Sequence, residues 1–117
     1  MNPKDRVGRN KPPLSLVPGS ALVLVSSALR NGADKYGPYN WRDQKIQASN
    51  YISAALRHLL AWNDGEDTAD DSGLSHLAHA CAGLMILIDS IETGNAIDDR
   101  PKPGVTHRTI KQNTRHS

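Results

Sequence analysis

The chain has 117 residues, and its 14 Lys and Arg against 12 Asp and Glu give a formal net charge of +2 at pH 7. This length supports a single core of a few helices, and the near-neutral charge does not favour a nucleic-acid-binding domain. No apolar run is long enough to cross a bilayer and the start lacks a signal-peptide pattern, so we expect a cytoplasmic protein. The single cysteine, Cys81, excludes an intrachain disulfide and is expected to be a small buried hydrophobe.

A first helix is predicted to begin near residue 20. Pro18, Gly19 and Ser20 form a typical helix start, and the apolar residues that follow recur at helical spacing. Asn31 and Gly32 are typical of a helix end. The sequence therefore predicts that this helix stops there and that a structured loop follows it.

Two further helices are predicted on either side of an acidic loop. Residues 47–63 follow the i, i+3, i+4, i+7 apolar pattern almost without exception, which predicts an amphipathic second helix. After the acidic loop, Asp71 or Ser72 can cap a third helix over about 73–92. This third helix is apolar nearly all round, which indicates an element enclosed by its neighbours.

These elements predict an all-α fold, a small bundle of three main helices. The helical domain is assigned to residues 14–94, between an amino-terminal arm over 1–13 and a basic tail over 95–117. The tail is expected to be loose, with contact to phosphate or to a neighbouring subunit as the alternative. Three helices cannot enclose one of their own number completely, so a homo-oligomer is expected to complete the bundle.

Three histidines are candidates for chemistry. His76 and His79 lie three residues apart and share one face of the third helix, and antiparallel packing would bring His58 of the second helix close to them. Neutral imidazole binds divalent transition metals, and Glu66 and Asp67 in the acidic loop offer hard oxygen ligands. A mixed metal site is one interpretation. The alternative is that the histidines hydrogen-bond the backbone or pack at an interface.

The loop after the first helix carries the groups that a nucleotide requires. Lys35 and Arg42 can neutralise phosphate oxygens, while the amide of Asn40 can pair with a purine edge. The rings of Trp41 and Tyr36 can stack on a base. The alternative is aromatic packing of a loop against helix ends. The Walker A, GxGxxG, GxSxG and HExxH signatures and a His-Asp dipeptide are all absent from the sequence, which excludes those enzyme classes.

Four blocks over about residues 11–90 resemble the phage dATP/dGTP diphosphohydrolase family, often called MazZ, of the MazG-like superfamily. The blocks are KPPLSLVPGSAL, GADKYGPYNWR, YISAALRHLLAWNDGED and SGLSHLAHACAGLMILID. The resemblance implies a helical, dimeric or tetrameric pyrophosphohydrolase in the cytoplasm of a phage-infected host. Such an enzyme cleaves purine deoxynucleoside triphosphates into monophosphate and pyrophosphate, and its dGMP supports 2-aminoadenine synthesis.

The resemblance departs from the superfamily at the metal site. MazG-like enzymes bind Mg²⁺ or Mn²⁺ through an ExxE and an ExxD pair, and those positions hold Ala55 with His58 and His76 with His79 here. One possibility is that the histidines replace the acids as metal ligands, with help from the acidic loop; Co²⁺ or Zn²⁺ would also suit such ligands. Another is that the acids come from a second subunit. A third possibility is a chain that binds nucleotide without hydrolysing it.

The resulting hypothesis is attack of a metal-polarised water on a phosphorus atom. His58, Glu66 and His79 are the predicted catalytic residues, and the predicted metal ligands are His58, Glu66, Asp67, His76 and His79. Arg57 joins the predicted substrate-binding set of Lys35, Tyr36, Asn40, Trp41 and Arg42. Two alternatives are a non-catalytic binder of nucleotide or single-stranded nucleic acid, and an adaptor whose histidines are inert.

Overall fold

Helices dominate the computed structural model, which describes residues 1–116. In chain order the elements are α1 (Pro3–Gly8), α2 (Gly19–Tyr36), α3 (Asn40–Asp43), β1 (Ile46–Gln47), α4 (Ala48–Asn63), α5 (His76–Glu92), β2 (Ala96–Ile97) and α6 (Thr106–Asn113). A single 3-10 turn over Leu14–Leu16 precedes α2. The predicted all-α fold with three main helices is confirmed. No helix within the described chain is both long and apolar enough to traverse a bilayer.

The core lies where α5 packs against α2 and α4. Val25 and Ala28 of α2 meet Ala78 and Ala82 of α5, and the half-buried Leu29 packs against this group. Small alanine side chains let the helix axes approach closely, and each contributes little apolar area. The interface between α2 and α5 is consequently close-packed but buries little apolar area.

The predicted end of the first helix at Asn31 and Gly32 is wrong. α2 continues to Tyr36 and is capped by Gly37, whose φ is 91° and whose N–H donates to the carbonyl of Ala33 at 2.8 Å. A helix ends readily where a glycine adopts a positive φ, and it tolerates a glycine with helical angles in its interior. Residues 33–36 therefore belong to a rigid helix and not to the loop.

The third helix begins later than predicted, and its cap is Ser75. The Ser75 hydroxyl accepts hydrogen bonds from the backbone N–H groups of the first turn of α5. Asp71 and Ser72, the predicted caps, lie in a turn that a bridge between Thr68 and Ser75 closes. The N–H of His76 also donates to the carbonyl of Asp67 at 3.1 Å. These bonds hold the acidic loop against the amino-terminal end of α5.

A short parallel sheet, which the sequence did not predict, joins the loop after α3 to the chain after α5. Ile46 pairs with Ala96 and Gln47 with Ile97. Two residues per strand are too few to produce an alternating pattern, so the sequence carried no signal for them. Next to the sheet, the Asn95 side-chain amide donates to the carbonyls of Trp41 at 3.2 Å and Arg42 at 2.6 Å.

One face of α5 is exposed in this chain, and this is the face that the predicted homo-oligomer would have to cover. Cys81, expected to be buried, is exposed on that face. α2 packs on the alanines Ala78 and Ala82 of α5, and Leu87 is buried, but most of the larger apolar side chains of α5 are exposed. The exposed side chains of this apolar face are Leu77, Leu84, Met85, Ile88 and Ile91.

Candidate functional site

α2, α4 and α5 surround a cleft of about 410 Å³, a volume within the range of small-molecule sites. Seven of the predicted site residues line it, and they come from four separate elements of the chain. They are Lys35, Tyr36, Asn40, Trp41, Arg57, His58 and His79. Asp71 and the half-buried Tyr51 also line the cleft and were not predicted.

The three predicted histidines meet at one side of this cleft. The Nδ1 atoms of His58 and His76 are 2.9 Å apart, a hydrogen-bond distance. The ring of His79 stacks on that of His58, with centroids 4.9 Å apart and planes 11° from parallel. The Nε2 atom of His79 lies 2.7 Å from the Ser72 hydroxyl. The antiparallel packing of α4 on α5 therefore gathers all three imidazoles.

Glu66, His76 and His58 form a linear chain of polar groups. His76 is buried, at 7% exposure, and its Nε2 lies 3.5 Å from the Glu66 carboxylate. Within residues 1–116 this nitrogen has no hydrogen-bond partner, and the Glu66 carboxylate lies within ion-pair distance of it. The opposite nitrogen, Nδ1, faces His58. A neutral imidazole donates from one nitrogen and accepts at the other, so His76 can connect a base to a carboxylate.

The predicted metal ligands do not converge on a single point in this arrangement. Metal ligands must converge on one point at about 2.0–2.2 Å, whereas Glu66 and His58 approach opposite nitrogens of His76. No group of three or more His, Cys, Asp or Glu side chains in the described part of the chain is arranged to hold an ion. The Asp67 contact with α5 is made by its backbone carbonyl, which accepts a hydrogen bond from the His76 N–H, and not by its carboxylate. The residues present thus fit a proton-transfer chain better than a cation cage.

Burial keeps the two half-buried imidazoles neutral near pH 7. The pKa of His58 is lowered from its ordinary value of 6.5 mainly by desolvation and further by the charges of His79 and His76. Desolvation likewise lowers the pKa of His79, with Asp71 opposing the shift and Lys35 adding to it. A neutral imidazole can accept a proton, which a charged one cannot. Both imidazole rings can consequently act as bases.

Two of the three predicted phosphate-binding cations line the cleft. Lys35 is 3.8 Å from Asp71, and because both side chains are well exposed their ion pair is weak and can yield to a phosphate. Arg57 lines the cleft from α4. Arg42 instead lines a second cleft and donates two hydrogen bonds to Asp89, from Nε at 2.9 Å and Nη2 at 2.8 Å. The structure does not bring Arg42 to the predicted phosphate site.

Comparison with known proteins places the chain in a family. Residues 1–100 match the family described as dATP/dGTP diphosphohydrolase, N-terminal. The chain belongs to this family. A curated relative, the dATP/dGTP diphosphohydrolase of Salmonella phage PMBT28, is 36% identical over 92 residues, or 79% of this chain. Those residues are 31% of the relative, so the chain spans about a third of its length. No solved structure matches the chain.

The family resemblance predicted from the four sequence blocks is confirmed. Every residue that lines the cleft lies within the matched range 1–100. The sequence reasoning missed Asp89 and Ser72, which hold predicted site residues in place. Asp89 did carry a signal, because it is the one charged residue of the sequence between His79 and Glu92. A charge within such an apolar helix usually has a specific partner.

Proposed function

We propose that this chain hydrolyses dATP and dGTP to the monophosphate and pyrophosphate. The observation that carries the proposal is the cleft itself, in which two neutral imidazoles lie beside two cations, an amide and an indole. The name of the Salmonella phage relative, a dATP/dGTP diphosphohydrolase, supports the choice of substrate. A base next to phosphate-binding cations is the minimum that hydrolysis of a phosphoanhydride requires.

The nucleotide is proposed to lie with its base at the Trp41 end of the cleft. The indole supplies a stacking surface, and the Asn40 amide and the Tyr36 ring also line the cleft. Lys35 and Arg57 then hold the phosphate oxygens by charge-assisted hydrogen bonds. This placement puts the phosphates near His58, which lines the same cleft.

His58 is proposed as the general base. Its Nδ1 hydrogen bonds to His76, so Nε2 is the atom left to remove a proton from the attacking water. The water oxygen bonds to the α-phosphorus, the bond to the bridging oxygen breaks, and pyrophosphate leaves. The proton gained by His58 is stabilised through His76 by Glu66. His79, stacked on His58 and bonded to Ser72, fixes the ring orientation.

Metal dependence is proposed to arise from the substrate. Because the histidines bond to one another and do not form a cation cage, we place the divalent ion on the triphosphate, as a Mg²⁺ or Mn²⁺ complex. Co²⁺ or Zn²⁺ complexes are the alternatives. Such an ion neutralises phosphate charge and favours the developing negative charge on the leaving group.

The proposal is tested by incubating the chain with each deoxynucleoside triphosphate and Mg²⁺ or Mn²⁺. Monophosphate and pyrophosphate are the expected products with dATP and dGTP. Release of inorganic triphosphate would contradict the bond that is cleaved. Binding without any product would contradict hydrolysis and would favour the alternative, a nucleotide-binding role. In a phage that carries 2-aminoadenine DNA, the dGMP product is proposed to feed synthesis of that base.

The acid limb of the rate profile is expected to have its midpoint below pH 6.5. His58 must be neutral to accept a proton, and its pKa is lowered from 6.5, so half of the maximal kcat/KM should be reached below that pH. The unfolded chain binds protons more tightly at His58 and His79, so the free energy of unfolding should also decrease as pH falls below 6.5. Initial rates between pH 5 and 9 measure the first effect, and urea unfolding over the same range measures the second. An acid limb of kcat/KM with its midpoint above pH 6.5 would contradict the assignment of His58 as the base.

Self-association is proposed to cover the exposed apolar face of α5. Ile88 is 61% exposed near the centre of that face, a large exposure for a residue surrounded by other apolar side chains. The change Ile88→Asp is expected to shift a dimer or tetramer to monomer in sedimentation velocity, because a carboxylate would be desolvated at the interface. Gln112→Asp on the exposed α6 is the control. A wild-type monomer at high protein concentration would contradict the proposal.

A further inference from the structure

Asp89 holds two consecutive residues, Trp41 and Arg42, through three hydrogen bonds. The indole Nε1 of Trp41 donates to Oδ2 at 2.7 Å. The guanidinium of Arg42 donates to Oδ2 at 2.9 Å and to Oδ1 at 2.8 Å. These bonds lower the pKa of Asp89 to about 2, led by the Arg42 bond, so the carboxylate is charged at neutral pH. Its two oxygens thus fix the orientation of an indole and of a guanidinium.

Trp41 lines two cavities. One is the nucleotide cleft, and the other is a second cleft of about 390 Å³. Leu29, Ala33 and Ile86 line both cavities as well. A rotation of the indole would enlarge one cavity at the expense of the other. The shape of the nucleotide cleft therefore depends on what holds this ring.

The backbone around Trp41 is held from the same end of α5. The Asn95 amide donates to the carbonyls of Trp41 and Arg42. Tyr39 adopts a left-handed φ of 55°, and its ring centroid lies 5.2 Å from that of Trp41. The guanidinium carbon of Arg42 is 4.8 Å from the Tyr39 ring centroid. Residues 39–42 thus form a rigid unit in which Asp89 is the central acceptor.

We infer that Asp89 is a positioning residue for the nucleobase: it sets the plane of the Trp41 ring against which the base stacks, and it keeps Arg42 away from the phosphates. This role rests on the proposed function. Asp89 does not line the nucleotide cleft, so it acts through Trp41. Stacking requires a defined ring plane, and an indole whose N–H is bonded loses less rotational freedom when the base binds.

The test is Asp89→Asn, read out as kcat and KM for dGTP and as quenching of Trp41 fluorescence by dGTP. The chain has two tryptophans, so a Trp62→Phe background leaves Trp41 as the reporter. KM and the dissociation constant are expected to rise about tenfold, the scale of one lost stacking contact, while kcat changes less than about twofold. Asp98→Asn is the matched control, because Asp98 also pairs with an arginine, Arg100, outside the cleft.

A double-mutant cycle with Trp41→Phe separates positioning from folding. Phenylalanine retains a stacking ring but lacks the N–H group, so Asp89→Asn is expected to raise KM much less in the Trp41→Phe background. If Asp89→Asn does not fold, as judged by circular dichroism, Trp41→Phe alone should raise KM severalfold. An unchanged KM in a folded Asp89→Asn variant, with wild type active, would overturn this role alone. A wild type that neither binds nor cleaves dGTP would overturn the proposed function as well.

Discussion

Replacing His58 with alanine is expected to lower kcat/KM for dGTP and dATP by about 10²- to 10⁴-fold, the usual contribution of a general base. His58 is the histidine that both lines the cleft and hydrogen bonds to His76. Its loss removes the proton acceptor and breaks the connection to Glu66. Pyrophosphate release at saturating and at low nucleotide concentration measures kcat and kcat/KM separately.

The fold is expected to survive this change. His58 is half-buried, and the core group formed by α2 and α5 does not include it. Circular dichroism and urea unfolding should therefore show a native helix content. His107→Ala is the matched control, since His107 is exposed on α6 and does not line the cleft. A His58→Ala variant within threefold of wild type would exclude His58 as the base.

Removing both cations of the cleft is expected to weaken nucleotide binding by about 10²-fold or more, because each charge-assisted hydrogen bond contributes about 1.5–3 kcal/mol. The changes are Lys35→Ala and Arg57→Ala, whose side chains line the cleft from α2 and α4. Titration with dGTP at several salt concentrations measures the loss. The salt dependence of binding should also become shallower, because fewer cations meet the triphosphate.

The matched control for this prediction is Arg108→Ala with Lys111→Ala. Both residues are exposed on α6 and neither lines the cleft, so the change in net charge is the same. An equal loss of affinity in the two double variants would show that the triphosphate responds to overall charge and not to a defined site. That result would contradict the placement of the phosphates beside Lys35 and Arg57.

The proposed self-association through the apolar face of α5 is expected to be separable from the chemistry of the cleft. The exposed side chains Leu84, Ile88 and Ile91 do not line the cleft, and the histidine cluster is assembled within one chain. A monomeric Ile88→Asp variant should therefore bind nucleotide even if its stability is lower. Measuring dGTP binding alongside sedimentation tells whether self-association contributes to the site or only to stability.

The three main helices and the family were predicted from the sequence alone. The apolar periods over α4 and α5 reflect burial of one face of each helix, and this local pattern is visible without knowledge of the partner. The spacing of His76 and His79 places both on one face by helix geometry alone. The cationic and aromatic residues around Lys35 and Trp41 were also identified from the sequence alone, because their side-chain types are those that bind nucleotides.

The pairing of atoms became visible only in the tertiary structure. Glu66 lies near one nitrogen of His76 and His58 hydrogen bonds to the other, and we propose a proton-transfer role for these residues, which composition suggested as metal ligands. Arg42 pairs with Asp89, 47 residues away in the chain, and so leaves the phosphate site to Lys35 and Arg57. Hydrogen bonds are directional and join residues distant in sequence, so a pattern of residue types identifies the participants but not their pairing.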